Sequence, residues 1–243
     1  MTEHYNRPSA GTSSTIEDHI VRVRHRLEQA LDAAGRPVDS ARLLAVSKTQ
    51  PASAIRAAYA TGQLAFGENY LQEALEKQQM LQDLPLEWHF IGALQSNKTR
   101  EVAEHFEWVH TVDREKIARR LSDQRLGTQQ PLNICLQVNV NDESGKAGTT
   151  FEALPALAES VLELPNLSLR GLMAIPAASK DHETQRLAFR QLREALSRLQ
   201  ERFPEAPLDT LSMGMSNDLE AAILEGATLV RIGSAIFGAR PTP

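Results

Sequence analysis

The chain has 243 residues, 42% of them hydrophobic and 23% charged, and carries a net charge of −5 at neutral pH. That size buries a substantial core, as one α/β barrel or two small domains, and the acidic balance argues against nucleic acid or an anionic membrane surface as the main partner. The single cysteine, Cys135, excludes an intrachain disulfide and a zinc cluster built on several thiolates. No run approaches the length of an apolar membrane span and the N-terminus has no hydrophobic signal core, so the expected compartment is the cytoplasm.

Residues 1–14 are polar and small, without periodicity, and read as a mobile tail. From Thr15 the pattern changes: Ile16, Ile20, Val23, Leu27, Leu31 and Ala34 fall at helical spacing, with Ser14 or Thr15 as the cap and Gly35 as the stop. Short apolar strands then alternate with helical stretches. Strands are expected near Leu43–Ser47, Leu64–Phe66, Trp88–Ile91, Trp108–Thr111, Ile134–Asn139, Leu169–Ala174, Asp209–Ser212 and Leu229–Ile232. Helices are expected near Ala52–Tyr59, Asn69–Leu81, Lys98–His105, Arg114–Leu126, Phe151–Leu162, Glu183–Arg202 and Asp218–Glu225. Eight such units imply parallel pairing and a closed (β/α)₈ barrel over residues 15–240, with an open doubly wound sheet as the alternative. Pro241-Thr242-Pro243 reads as a tail.

The first strand ends on a lysine. Leu44, Val46 and Lys48 share one face of an extended chain, so the amine closes a row of apolar side chains. Desolvation lowers the pKa of such a lysine and makes it a candidate nucleophile toward a carbonyl compound; the plainer alternative is a solvated lysine at a strand end. The other strands also run into small or polar residues: Gly67-Glu68-Asn69, Gly92, Asn139-Val140-Asn141, Met213-Gly214-Met215-Ser216 and Gly233-Ser234. In a barrel these ends lie on one face, and the loops after the seventh and eighth strands commonly bind phosphate. Arg231 interrupts an otherwise apolar last strand, and a buried arginine needs a structural carboxylate or a ligand atom. Amine, phosphate cradle and a donor for a pyridine nitrogen together match the three ends of pyridoxal 5′-phosphate.

These motifs resemble a known family. Leu44-Ala45-Val46-Ser47-Lys48-Thr49, Phe66-Gly67-Glu68-Asn69-Tyr70, Trp88-His89-Phe90-Ile91-Gly92 with Leu94-Gln95-Ser96-Asn97-Lys98, Leu211-Ser212-Met213-Gly214-Met215-Ser216 and Val230-Arg231-Ile232-Gly233 resemble the pyridoxal phosphate homeostasis proteins, single-barrel relatives of the alanine racemase N-terminal domain. The resemblance runs from about Leu43 to Arg240. It implies pyridoxal 5′-phosphate on Lys48 as an internal aldimine. It also implies Ser212, Gly233 and Ser234 at the phosphate with Met213 in the same loop, Arg231 at the pyridine nitrogen, and Asn69 near the ring. Family members act as carriers or buffers of the cofactor, which makes apoenzymes that need it the expected acceptors.

A racemase needs an acid/base group on each face of the substrate carbon. In alanine racemases the group opposite the lysine is a tyrosine of an additional C-terminal domain, whereas this chain stops just after its eighth strand and its three tyrosines, Tyr5, Tyr59 and Tyr70, offer little. The expectation is therefore a binding protein, as a monomer, with low-activity racemisation as the alternative. His89 reads as a hydrogen-bonded structural histidine, Gly145-Lys146-Ala147-Gly148 as a mobile loop, Lys98 as a solvated lysine and Cys135 as a buried inert thiol.

Overall fold

The computed structural model describes residues 15–238; the expected tails at 1–14 and 241–243, and Tyr5, lie outside them. The eight strands are β1 (Arg42–Val46), β2 (Ala65–Glu68), β3 (Glu87–Phe90), β4 (Trp108–Val112), β5 (Leu132–Gln137), β6 (Leu167–Met173), β7 (Thr210–Ser212) and β8 (Leu229–Ile232). Each pairs in parallel with the next, and β8 returns to β1 with Leu44 opposite Arg231 and Ala45 opposite Ile232, closing the barrel. The open-sheet alternative is therefore excluded. The fifth strand starts two residues earlier than expected and stops at Gln137, beyond which Val138 keeps only an isolated bridge to Thr149.

Nine helices are described: α1 (Ile16–Ala33), α2 (Ala52–Ala60), α3 (Leu71–Met80), α4 (Thr99–His105), α5 (Glu115–Gln124), α6 (Leu154–Leu162), α7 (His182–Arg202), α8 (Leu219–Leu224) and α9 (Ser234–Phe237). Of the two candidate caps for the first, Thr15 serves. Its hydroxyl accepts from the Asp18 amide at 3.2 Å and the Asp18 carboxylate accepts from the Thr15 amide at 3.0 Å, a reciprocal arrangement that satisfies two otherwise orphaned donors. The apolar stripe Ile20, Val23, Leu27, Ala30 and Leu31 is buried, packing α1 against α2, α8 and α9.

Strand alternation divides the interior into two layers. Leu43 and Ala45 belong to the large core between barrel and helices, while Leu44 and Val46 pack in the lumen with Ala65, Ile91 and Leu229. A second lumen cluster joins Trp108, Cys135 and Met173. Burial pushes the Cys135 thiol up to about 12, so at neutral pH it stays protonated and unreactive. Tyr70 is exposed at the N-terminal end of α3.

Two carboxylates of the outer layer, Glu68 and Glu225, are buried. Glu225, 1% exposed, accepts from Arg186 at 2.9 Å, Arg190 at 3.0 Å and Arg193 at 2.8 Å, all on α7. Burial alone would push its carboxyl up, but the three guanidiniums overcome that and hold it below the usual value. Its contribution to stability is therefore complete above the unfolded-state pKa of about 4.3 and is lost as the pH falls through the lower folded value. Glu225→Gln is expected to cost about 2 kcal/mol at pH 7, discounted for the partly exposed arginines, and the difference from wild type in urea midpoint should narrow below pH 4. An unchanged midpoint at pH 7 would count against this account.

Candidate functional site

A cleft of about 360 Å³ opens at the C-terminal ends of the strands, lined by Val46, Lys48, Gln50, Asn69, Ile91, Ile175, Met215, Ser216, Asn217, Arg231, Gly233, Ser234, Phe237 and Gly238. Lys48, Asn69, Arg231, Gly233 and Ser234 thus come from three separate stretches of sequence to one wall. Ser212 and Met213, expected at an anion, do not line it: both are 0% exposed. The reason is the brevity of β7, whose last residue still faces the lumen below the rim. The loop beyond it, Met215-Ser216-Asn217, reaches the cleft instead.

Lys48 follows the apolar pair Leu44 and Val46 onto the cleft and is half-buried. The backbone on either side of it is fixed by a polar cluster on the outer face of the barrel. The Ser47 hydroxyl donates to Glu68 Oε1 at 2.6 Å, and the Ser47 carbonyl accepts from Lys77 Nζ at 2.7 Å. Lys77, 5% exposed, also pairs with Glu68 at 2.8 Å and with Glu73. Glu73 Oε1 in turn accepts from the Thr49 amide at 2.6 Å. Thr49 sits at φ 64°, a left-handed conformation that is costly for a β-branched residue and persists only where neighbours enforce it. The turn that presents the amine is therefore held from both sides.

Arg231 lies at the cleft floor, 4% exposed. Its guanidinium donates to Ser212 Oγ and to the Ala174 carbonyl, each at 2.8 Å, and burial pushes its pKa down to about 10, with Asp218 opposing the shift. At neutral pH it is still charged. Asn69 Oδ1 is buried without a hydrogen-bond partner, at a site where burying an unsatisfied amide oxygen is costly. Gly92 makes the Asn69 backbone possible, since a Cβ there would stand 2.0 Å from the Asn69 carbonyl oxygen. Gly233 presses on the end of β1: a Cβ would lie 3.2 Å from the Val46 oxygen. The first amides of the short helix α9, which starts at Ser234, have no intrahelical acceptor.

Helix α1 braces these loops from outside. Arg26 donates to the Ser216 carbonyl at 2.8 Å and pairs with Glu220 at 2.6 Å, and His19 Nδ1 lies 2.7 Å from the Ile236 carbonyl. The wall thus offers an amine, a guanidinium, hydroxyls and an orphaned amide oxygen, and no carboxylate among the described lining residues. Such a set suits an anionic ligand with a carbonyl group. Of the other sequence candidates, Lys98 pairs loosely with Glu101 at 4.0 Å and Lys146 with Glu143 at 2.5 Å, and neither lines the cleft. No described tyrosine lines it either. His110 and Lys77 escaped the sequence reading, and Glu68 entered it only as part of the polar end of the second strand. His110 was findable from its alternation with Trp108 along β4, whereas Glu68 and Lys77 look like ordinary surface charges.

Fold and cleft define the class. The alanine racemase N-terminal domain model matches residues 19–241, and the chain belongs to that family, within it to the pyridoxal phosphate homeostasis proteins. It is 61% identical over 227 residues to the Pyridoxal phosphate homeostasis protein of Pseudomonas aeruginosa, covering 93% of this chain and 96% of that one. It is 52% identical to the protein of the same name from Escherichia coli K12, covering 93% and 97%. Among solved structures it is similar to PipY of Synechococcus elongatus PCC7942 with PLP bound, with a TM-score of 0.80, 41% identity and coverage of 92% of this chain and 100% of that one. Alanine racemase from Corynebacterium glutamicum shares the fold at a TM-score of 0.66 and 18% identity, covering 93% of this chain and 62% of the racemase.

The buried pairing around Lys48 is testable by itself. Lys77→Met leaves the Glu68 carboxylate buried without its cation and should cost about 3 kcal/mol, read from urea denaturation. Adding Glu68→Gln, which removes the stranded charge, should recover much of that loss. A double variant no more stable than Lys77→Met would contradict the pairing.

Proposed function

We propose that the chain binds pyridoxal 5′-phosphate covalently through Lys48 Nζ and serves the homeostasis of that cofactor, holding it and yielding it to apoenzymes rather than turning over amino acids. The cofactor, when bound, supplies an aldehyde for the amine, a phosphate anion and an electron-accepting ring. The observation that carries the reading is the convergence on one wall of Lys48, the charged Arg231, the orphaned Asn69 Oδ1 and the Gly233-Ser234 turn. These are chemically matched to those three ends. The name and PLP-bound state of the relatives support it.

Each residue has a part. Lys48 is the attachment point. Gly233 and Ser234, with Ser216 across the cleft, receive the phosphate, where the missing Cβ of Gly233 admits close approach of the backbone. Arg231 faces the ring nitrogen and, being a permanent donor, disfavours its protonation, which weakens the ring as an electron sink. Asn69 orients the ring edge. Ser212 acts through Arg231 and Met213 packs behind the wall, so neither need touch the cofactor. Among the described residues no tyrosine lines the cleft to work opposite Lys48, which favours holding over racemisation. Among the described residues no helix is long and apolar enough to cross a membrane; the cytoplasm, where apoenzyme acceptors are made, is the proposed site of action, and a monomer the proposed state.

Incubation with pyridoxal 5′-phosphate should give a visible absorbance band that Lys48→Ala abolishes, and borohydride reduction followed by peptide mapping should place the label on Lys48. A colourless wild-type protein, or a label on another lysine such as Lys98, would overturn the reading. Deuterium uptake at the α-carbon of alanine above the rate of free cofactor would replace it with racemisation.

A further inference from the structure

A row of four hydrogen bonds crosses the barrel lumen from one mouth to the other. Arg231 donates to Ser212 Oγ at 2.8 Å, and that oxygen lies 2.7 Å from His110 Nδ1. His110 Nε2 is 2.8 Å from His89 Nδ1, and His89 Nε2 is 2.6 Å from Glu87 Oε1. Ser212, His110 and His89 are 0% exposed. Glu87 stands at the far mouth, on a second cleft of about 380 Å³ that also presents Arg42, Trp108 and Arg170. Trp108 lies parallel to the His89 ring at 5.3 Å, fixing its plane.

The proton order in this row follows from its end. Glu87 is held below the usual carboxylate range by the bond from His89, and burial holds both imidazoles below the usual histidine value, His110 well below. Both rings are therefore neutral at pH 7, each with one donor and one acceptor nitrogen. An ionised carboxylate only accepts, so the His89 hydrogen is on Nε2 and its Nδ1 is a lone pair. His110 must then donate from Nε2 and accept at Nδ1. That leaves the Ser212 hydroxyl to donate to His110 and its oxygen to accept from Arg231. One carboxylate specifies every proton as far as the guanidinium, which also donates to the neutral backbone carbonyl of Ala174.

We propose that Glu87, acting through His89, His110 and Ser212, is a positioning residue for Arg231: it sets the proton order that turns the Ser212 oxygen toward the guanidinium and so fixes the donor offered to the ligand in the opposite cleft. This deepens the cofactor reading and rests on it for its effect on binding, while the proton order stands on the protein alone.

The test compares wild type with Glu87→Ala, Glu87→Gln and Arg42→Ala. Arg42 also touches Glu87, at 3.2 Å, but lies outside the row. Nitrogen-15 spectra of the histidine rings, recorded without cofactor at pH 7, should show His89 and His110 neutral with hydrogen on Nε2 in wild type and in Glu87→Gln, whose amide oxygen still accepts. Glu87→Ala should lose that fixed order. In protein loaded with pyridoxal 5′-phosphate, Glu87→Ala should shift the visible band and release cofactor about tenfold faster, while Glu87→Gln and Arg42→Ala keep the band and stay within about twofold. A wild-type ring carrying its hydrogen on Nδ1, or a Glu87→Ala protein with wild-type band and release rate, overturns the proposal. If wild type takes up no cofactor, the preceding reading fails, and the ring signals decide the proton order independently.

Discussion

The pairing of the last strand with the first is the constraint from which the site follows. With Ala45 opposite Ile232, the chain after β8 turns across the end of β1, where a Cβ would press to 3.2 Å from the Val46 carbonyl oxygen. Gly233 therefore delivers the α9 turn to the same wall as Lys48. Neither group would be near the other in an open sheet, where β1 and β8 need not touch. Closure also buries Arg231 opposite Leu44, which commits the barrel to supplying neutral acceptors for a guanidinium inside its own lumen.

Polar groups are used differently on the two faces of the same strands. On the outer face, Ser47 and Glu68 meet Lys77 of α3 and stiffen the turn that carries the amine. On the inner face, His89, His110, Ser212 and Arg231 form a hydrogen-bonded core where a barrel of this kind would otherwise stack aliphatic side chains. Half-satisfied, either group would weaken the fold; both are nearly complete, with Glu68 Oε2 the unpartnered atom of the outer group.

Strand and helix order was legible because the barrel's strands are short and mostly apolar and alternate with helical stretches. The wall of the cleft was legible where a chemically distinctive side chain ends such a strand, as at Lys48, or breaks its apolar run, as at Arg231. Depth along a strand was not legible. Ser212 and Met213 fall one layer below the rim because β7 has three residues, and nothing in Leu211-Ser212-Met213 reveals where pairing stops. Partnership in the lumen was equally hidden, since His89 and His110 are 21 residues apart and meet only once β3 pairs with β4 in the register His89 to Trp108. Glu68 and Lys77 read as surface charge until α3 is docked.

The clasp between the two ends of the barrel governs when the site can exist. Lys48 is synthesised early, but its wall is completed by residues made some 185 positions later, an interval of roughly ten to forty seconds at cellular translation rates of 5–20 residues per second. A nascent polypeptide therefore has no finished pocket for most of its time on the ribosome. Completion of the cleft is coupled to the docking of β8 and α9 against β1 and α1.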